Sequence, residues 1–116
     1  MKRYGWVVRL RPGKVEEYKR VHAAVWPGVL ATISACGIRN YSIFLKRLDD
    51  GRDYLFASFE HEGADLRADM ARMAADPVTQ KWWSHTEPMQ EPIGTRNQGE
   101  WWAQMEEVFR HDGPAA

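Results

Sequence analysis

A single cysteine, Cys36, excludes any internal disulfide in this chain of 116 residues, and a reducing compartment suits it best. Charge of one sign is also missing. Sixteen Lys and Arg balance sixteen Asp and Glu, so no net positive field exists to hold a nucleic-acid backbone or an anionic membrane surface. Long apolar runs are absent too: the N-terminal stretch MKRYGWVVRLRPG returns to charge at Arg9, too soon for a signal-peptide core or a membrane span, and the cytoplasm is the expected location. His22, His61, His85 and His111 show no metal-ligand spacing such as HxxxH, and one Cys cannot build a structural zinc site, so no metal is expected. Without a glycine-rich phosphate loop or a G-x-S-x-G elbow, nucleotide binding and triad hydrolysis have no support. No internal repeat is present.

What the chain has in abundance is indole. Six Trp and four Tyr are more than a core of this size needs, and such rings offer rigid contact surface with a polar tip to a ligand. Hydrophobic residues make up 44% of the sequence, enough for one core. The expected organisation is a single domain over 1–112 with a flexible tail at 113–116.

Residues 4–10, YGWVVRL, alternate Tyr4, Trp6, Val8 and Leu10 against Gly5, Val7 and Arg9, the period of a half-buried strand. From Lys14 to Cys36 the apolar positions Val15, Tyr18, Val25, Trp26, Val29 and Ile33 occupy about a third of the helical circle at ~100° per residue. That predicts an amphipathic helix, kinked or broken near Trp26 because Pro27 lacks an amide donor. Residues 39–47 read as a strand with Tyr41, Ile43 and Leu45 on one face, and the turn LDDGRD at 48–53 joins it to a strand over 54–60. A helix over 62–75, another over 78–89, a loop at 90–99 and a last strand over 100–109 follow. The order β-α-β-β-α-β defines an α+β fold of the ferredoxin-like, split βαβ kind, with an antiparallel sheet and helices on one face. Apolar residues on both strand faces call for cover on the second face, and a homodimer is expected.

Several residues are candidates for chemistry. Tyr18, His22 and Trp26 are spaced i, i+4, i+8, which puts them along one stripe of a helix. An imidazole there exchanges protons near neutral pH or donates to a ligand oxygen; the alternative is a core histidine bonded to a backbone carbonyl. Trp82 and Trp83 suit a carbohydrate site, because indole faces pack on sugar C–H patches and the N–H donates to a hydroxyl, and core packing accounts for the dipeptide equally well. Trp101 and Trp102 form a second pair with the same ambiguity. Tyr41 offers a hydroxyl beside apolar neighbours. Glu107, which strand alternation places with Trp101, Ala103, Met105 and Phe109, is either an acceptor for a ligand or a member of an ion pair.

Taken together, YKRVHAAVWP at 18–27, RNYSIFL at 39–45, YLFASFE at 54–60, TQKWW at 79–83 and MEEVF at 105–109 resemble the L-rhamnose mutarotase family. The resemblance runs from Tyr4 to about Asp112. It implies a dimeric α/β barrel of ferredoxin-like subunits and an isomerase of the aldose 1-epimerase type. The substrate implied is a monosaccharide, L-rhamnose or a related 6-deoxy-L-hexose such as L-fucose. By residue match His22 takes the position of the family's proton donor, while Tyr18, Tyr41, Trp82 and Trp83 take its sugar-binding positions. Trp26 and Glu107 join the candidate sugar contacts on their own placement. Mutarotation moves only protons, so no cofactor is expected. Small dimeric α/β barrels also host cofactor-free monooxygenases and haem-degrading enzymes, which form the competing class.

Overall fold

The structure, a computed structural model, describes residues 1–114, so half of the tail expected at 113–116 lies outside the described residues. Strand β1 (Lys2–Leu10) leads into helices α1 (Val15–His22) and α2 (Pro27–Ala35), then into the hairpin of β2 (Ile38–Arg47) and β3 (Asp53–His61). Helices α3 (Leu66–Ala75) and α4 (Pro77–Thr86) follow, with a 3-10 turn (Glu87–Met89) and the short strands β4 (Gln90–Glu91) and β5 (Ala103–Met105). Every strand pairing is antiparallel, in the order β2-β3-β1-β4, and β5 shares with β4 the remaining edge of β1. This is the expected split βαβ topology, α+β with a curled antiparallel sheet.

Strand alternation sorts the two sheet faces. Val8, Leu10, Leu55, Ala57 and Phe59 are buried on the helix side, where Val8 pairs with Leu55 and Trp6 with Ala57. Two apolar clusters fill that side, one around Val8, Leu10, Tyr18, Leu55 and Met89 and the other around Cys36, Ile38, Phe59 and Met73. The opposite face carries Val7, Phe56 and Phe44 in register across three strands. Phe44 is 62% exposed there.

The break expected near Trp26 divides the stretch from Lys14 to Cys36 into two helices. Pro27 stands at the first position of α2, where its missing amide costs nothing, and residues 23–26 form the break. The next helix starts later than expected, at Leu66, because the Asp65 carboxylate accepts the Ala68 amide at 3.2 Å and caps it. Asp76 ends α3 and caps α4, accepting from the Thr79 amide and hydroxyl at 2.8 Å each, with Pro77 opening the helix. Helix α4 stops at Thr86, short of the expected 89, and Gln90 and Glu91, expected in a loop, pair with Leu10 and Arg9.

The largest correction concerns the last strand. Only Ala103–Met105 pair with β1, opposite Val7, Trp6 and Gly5, and residues 106–110 run on without a partner strand in this chain. Val108 and Phe109 are 87% and 82% exposed.

Candidate functional site

Between the helix side of the sheet and α1, α2 and α4 lies a cavity of about 410 Å³, within the range of sites that enclose small ligands. Its floor is sheet: Trp6 from β1, Tyr41 and Ile43 from β2, Phe59 from β3 and Gln104 from β5. Its walls are Tyr18 and His22 from α1, Trp82 and Trp83 from α4, and Trp101 and Trp102 from the segment before β5.

Tyr41 reaches this floor through a bulge. Asn40 has φ 52°, in the left-handed region that Asn tolerates better than most residues, and its side chain donates to Glu60 at 2.9 Å. Arg39 pairs with Glu60 and Ser42 with Ser58, so Asn40 and Tyr41 together oppose Phe59 alone. The extra residue shifts the alternation by one, and both Ile38 and Tyr41 border the cavity despite their odd spacing. Tyr41 lies 5.8 Å from the Phe59 ring, centroid to centroid. The packed surroundings of its hydroxyl push its pKa up to about 12, although 39% of the residue surface is open.

His22 and Tyr18 are stacked, centroids 4.2 Å apart, and the Nδ1 of His22 is 2.9 Å from the Tyr18 carbonyl oxygen. Because a carbonyl only accepts, Nδ1 carries the hydrogen and the lone pair of the neutral ring sits on Nε2. Among the described residues Nε2 has no hydrogen-bond partner. Burial holds the imidazole below its ordinary pKa of 6.5, against the raising effect of the carbonyl bond. Both readings of His22 keep support: it is a carbonyl-bonded histidine, and its residue borders the cavity.

The phenol of Tyr18 is buried, accepts from Gln90 Nε2 at 3.0 Å, and is held well above the usual tyrosine range by burial. Trp82 packs edge-on against His22 at 5.3 Å and Trp83 joins the Phe59 cluster, so each indole has packing and a cavity surface at once.

Trp26 is not on the stripe with Tyr18 and His22. Helix α1 ends at His22, and Trp26 stands behind Trp82, edge-on at 5.1 Å, beside a shallow surface hollow with Pro77, Val78 and Lys81. Glu107 is also elsewhere. Ala103 and Met105 face the side of the sheet away from the cavity, as Met105 lying over Gly5 shows, while Trp102 and Gln104 face inward. The pairing ends at Met105, and Glu107 is exposed beyond it. The carboxylates that do border the cavity are Glu87 and Glu100, the latter accepting from the Asn97 and Gln104 amides. Neither they nor Gln90 stood out in the sequence, because all three fall at element ends or in a stretch with loop composition.

Among the described residues no group of three His, Cys, Asp or Glu side chains could hold a metal ion. No helix among them is long and apolar enough to cross a membrane.

Fold and site define a small α+β protein whose curled sheet and helices enclose an aromatic cavity bordered by one histidine. The family model described as L-rhamnose mutarotase matches residues 3–111, and the chain belongs to that family, as an isomerase. It is 43% identical over 74 residues to the L-rhamnose mutarotase of Burkholderia ambifaria, covering 64% of this chain and 65% of that protein. With the L-rhamnose mutarotase of Listeria monocytogenes the identity is 39% over 89 residues, covering 77% of this chain and 80% of the relative. The crystal structure of an L-rhamnose mutarotase from Formosa agariphila superposes with a TM-score of 0.73 over 97% of this chain and 100% of that one, at 23% identity, a likeness of fold.

Proposed function

We propose that this chain interconverts the α and β anomers of L-rhamnose by opening and reclosing the sugar ring. The observation that carries the mechanism is the directed bond from His22 Nδ1 to the Tyr18 carbonyl, which leaves Nε2 as a base at neutral pH. Nε2 takes the proton of the anomeric hydroxyl as the carbon–oxygen double bond forms and the bond to the ring oxygen breaks. The imidazolium then returns a proton to the ring oxygen, which is attached to the same carbon and so lies close to the first. Rotation of the free aldehyde and reversal of both transfers close the other anomer. No oxidation state changes and no group leaves the sugar, so proton transfer and orientation account for the whole reaction.

Trp82 and Trp83 supply indole surface to the C–H patches and the 6-methyl group, and Tyr18 and Tyr41 contact hydroxyl or ring oxygens. The working unit is residues 1–112, in the cytoplasm, as a homodimer in which a second copy covers the sheet face bearing Phe44 and Phe56 and the exposed Val108 and Phe109.

The test is saturation transfer between the two anomeric proton resonances of L-rhamnose at equilibrium, with and without enzyme, in the presence of a chelator. Acceleration in proportion to enzyme is expected, with L-fucose run beside it as the nearest competitor. A rate equal to that in buffer for both sugars would overturn the reading. Uptake of haem, or oxygen consumption with a quinol, would move the chain to the oxygenase class.

A further inference from the structure

A chain of side chains behind Tyr18 has a fixed direction. The Trp101 indole Nε1 lies 2.8 Å from Gln90 Oε1, and Gln90 Nε2 lies 3.0 Å from the Tyr18 hydroxyl. An indole N–H can only donate, so the atom it meets must be the amide oxygen. The amide nitrogen therefore faces Tyr18, and it too can only donate. The phenol oxygen is an acceptor in this bond, and its own hydrogen must go elsewhere. Among the described residues nothing accepts that hydrogen, and Tyr18, Gln90 and Trp101 all border the cavity.

Gln90 is well placed to impose this order. It is 3% exposed, its backbone pairs with Leu10 at the start of β4, and the Met89 carbonyl before it accepts the Arg11 amide at 2.9 Å. Burial keeps the Tyr18 phenol protonated, so a hydrogen is always present to be aimed.

We infer that Gln90, clamped by Trp101, is a positioning residue that makes Tyr18 a hydrogen-bond donor to the ring oxygen of the sugar. This rests on the mutarotase reading. In a free pyranose each hydroxyl both donates and accepts, and the ring oxygen alone has only lone pairs, so a phenol restricted to donating matches that atom. The bond tightens as negative charge gathers on the ring oxygen during opening, which makes it a contribution to the transition state. The imidazole stacked 4.2 Å from the phenol handles the neighbouring anomeric hydroxyl.

Gln90→Glu reverses the direction while nearly preserving shape. A carboxylate accepts from both Trp101 and Tyr18, so the phenol hydrogen is turned away from the cavity. Expected is a fall in kcat of about tenfold or more, the scale of one hydrogen bond to a polarised oxygen, with KM changed far less. Tyr18→Phe added to Gln90→Glu should cost nothing further, whereas alone it should cost as much as Gln90→Glu. Trp101→Phe, at a 38% exposed position, frees the amide to turn over and should lower kcat severalfold. It decides the matter should Gln90→Glu fail to fold. Wild-type kcat in both variants, or losses confined to KM and the melting temperature, would overturn the inference. A ligand-free reading keeps it separate from the choice of substrate: the Tyr18 Cζ carbon resonance should move in Gln90→Glu and in Trp101→Phe. A stationary resonance would show that no relay exists, whatever sugar the enzyme acts on; a moved resonance in an enzyme that exchanges no sugar would overturn the mutarotase reading and with it the assignment of the ring oxygen.

Discussion

The Nδ1 of His22 is bonded at 2.9 Å to the carbonyl oxygen of Tyr18, one helical turn before it. That bond determines which nitrogen holds the hydrogen and orients the ring at the last turn of α1. Replacing His22 with Ala should slow anomer exchange by about 10²–10⁴-fold, the usual scale of acid/base catalysis. The ring is half-buried, so the protein should stay folded. Exchange rates paired with a melting curve check both parts, and a folded variant exchanging at a near-normal rate would assign the proton step to another group.

Acid should switch the enzyme off below neutrality. Burial lowers the folded pKa of His22 beneath 6.5, so the free base persists at neutral pH and is lost only as pH falls through that lowered value. The stability sign agrees. The unfolded chain binds the proton more readily, so the contribution of neutral His22 is complete above 6.5 and declines as pH drops from there toward the folded value. A kcat/KM profile with an acid limb above 6.5 would contradict this account.

Trp82 and Trp83 should separate by stability. Trp82 is 7% exposed and touches His22 and Trp26, so Trp82→Ala should cost about 3–5 kcal/mol as well as sugar affinity. Trp83 is less buried, and Trp83→Ala should raise KM with a smaller loss of stability. Denaturant melts with sugar titrations read the two effects apart.

Position 40 offers a test of the bulge. Asn40→Val forces a β-branched residue to φ 52° and should destabilise the chain by roughly 1–3 kcal/mol while raising KM through Tyr41. Asn40→Gly removes the strain and should be milder. Equal losses in the two variants would mean that the Asn40 side-chain bond to Glu60, and not the backbone, holds the bulge.

The proposed homodimer predicts that Phe44→Asp or Phe109→Asp lowers the sedimentation coefficient to that of a monomer, since Phe44 exposes a large ring on the uncovered sheet face and Phe109 exposes one on the unpaired stretch after β5. A wild-type chain already monomeric at micromolar concentration would remove the proposal.

Much of the site was legible because it is local. Tyr18 and His22 fall on one helix at i, i+4, and period and handedness alone put them on one face. Trp82 and Trp83 sit in one helix behind the Asp-Pro cap at 76–77, again a matter of neighbouring residues. Trp26 was misplaced for the opposite reason: the helical period was carried on from His22 to Trp26, whereas α1 ends at His22 and residues 23–26 already belong to the break before Pro27. Glu107 was misplaced because alternation in a strand names two faces without saying which is the inner one, and because nothing local marks where pairing with β1 stops.

Sequence by itself determined the order of elements as far as α4, the antiparallel hairpin at 48–53, the breaks at Pro27 and Pro77 and the place of Tyr18 and His22 on one helix face, since each follows from backbone chemistry within a few residues. Only the tertiary structure decided that Tyr41 reaches the cavity through a bulge at Asn40, that Gln90 joins Trp101 to Tyr18, and that Trp102 and Gln104 face inward. Those contacts span 72 residues in the case of Gln90 and Tyr18. Their partners are chosen by strand register and by the need to satisfy buried polar groups, and neither leaves a periodic trace in the chain.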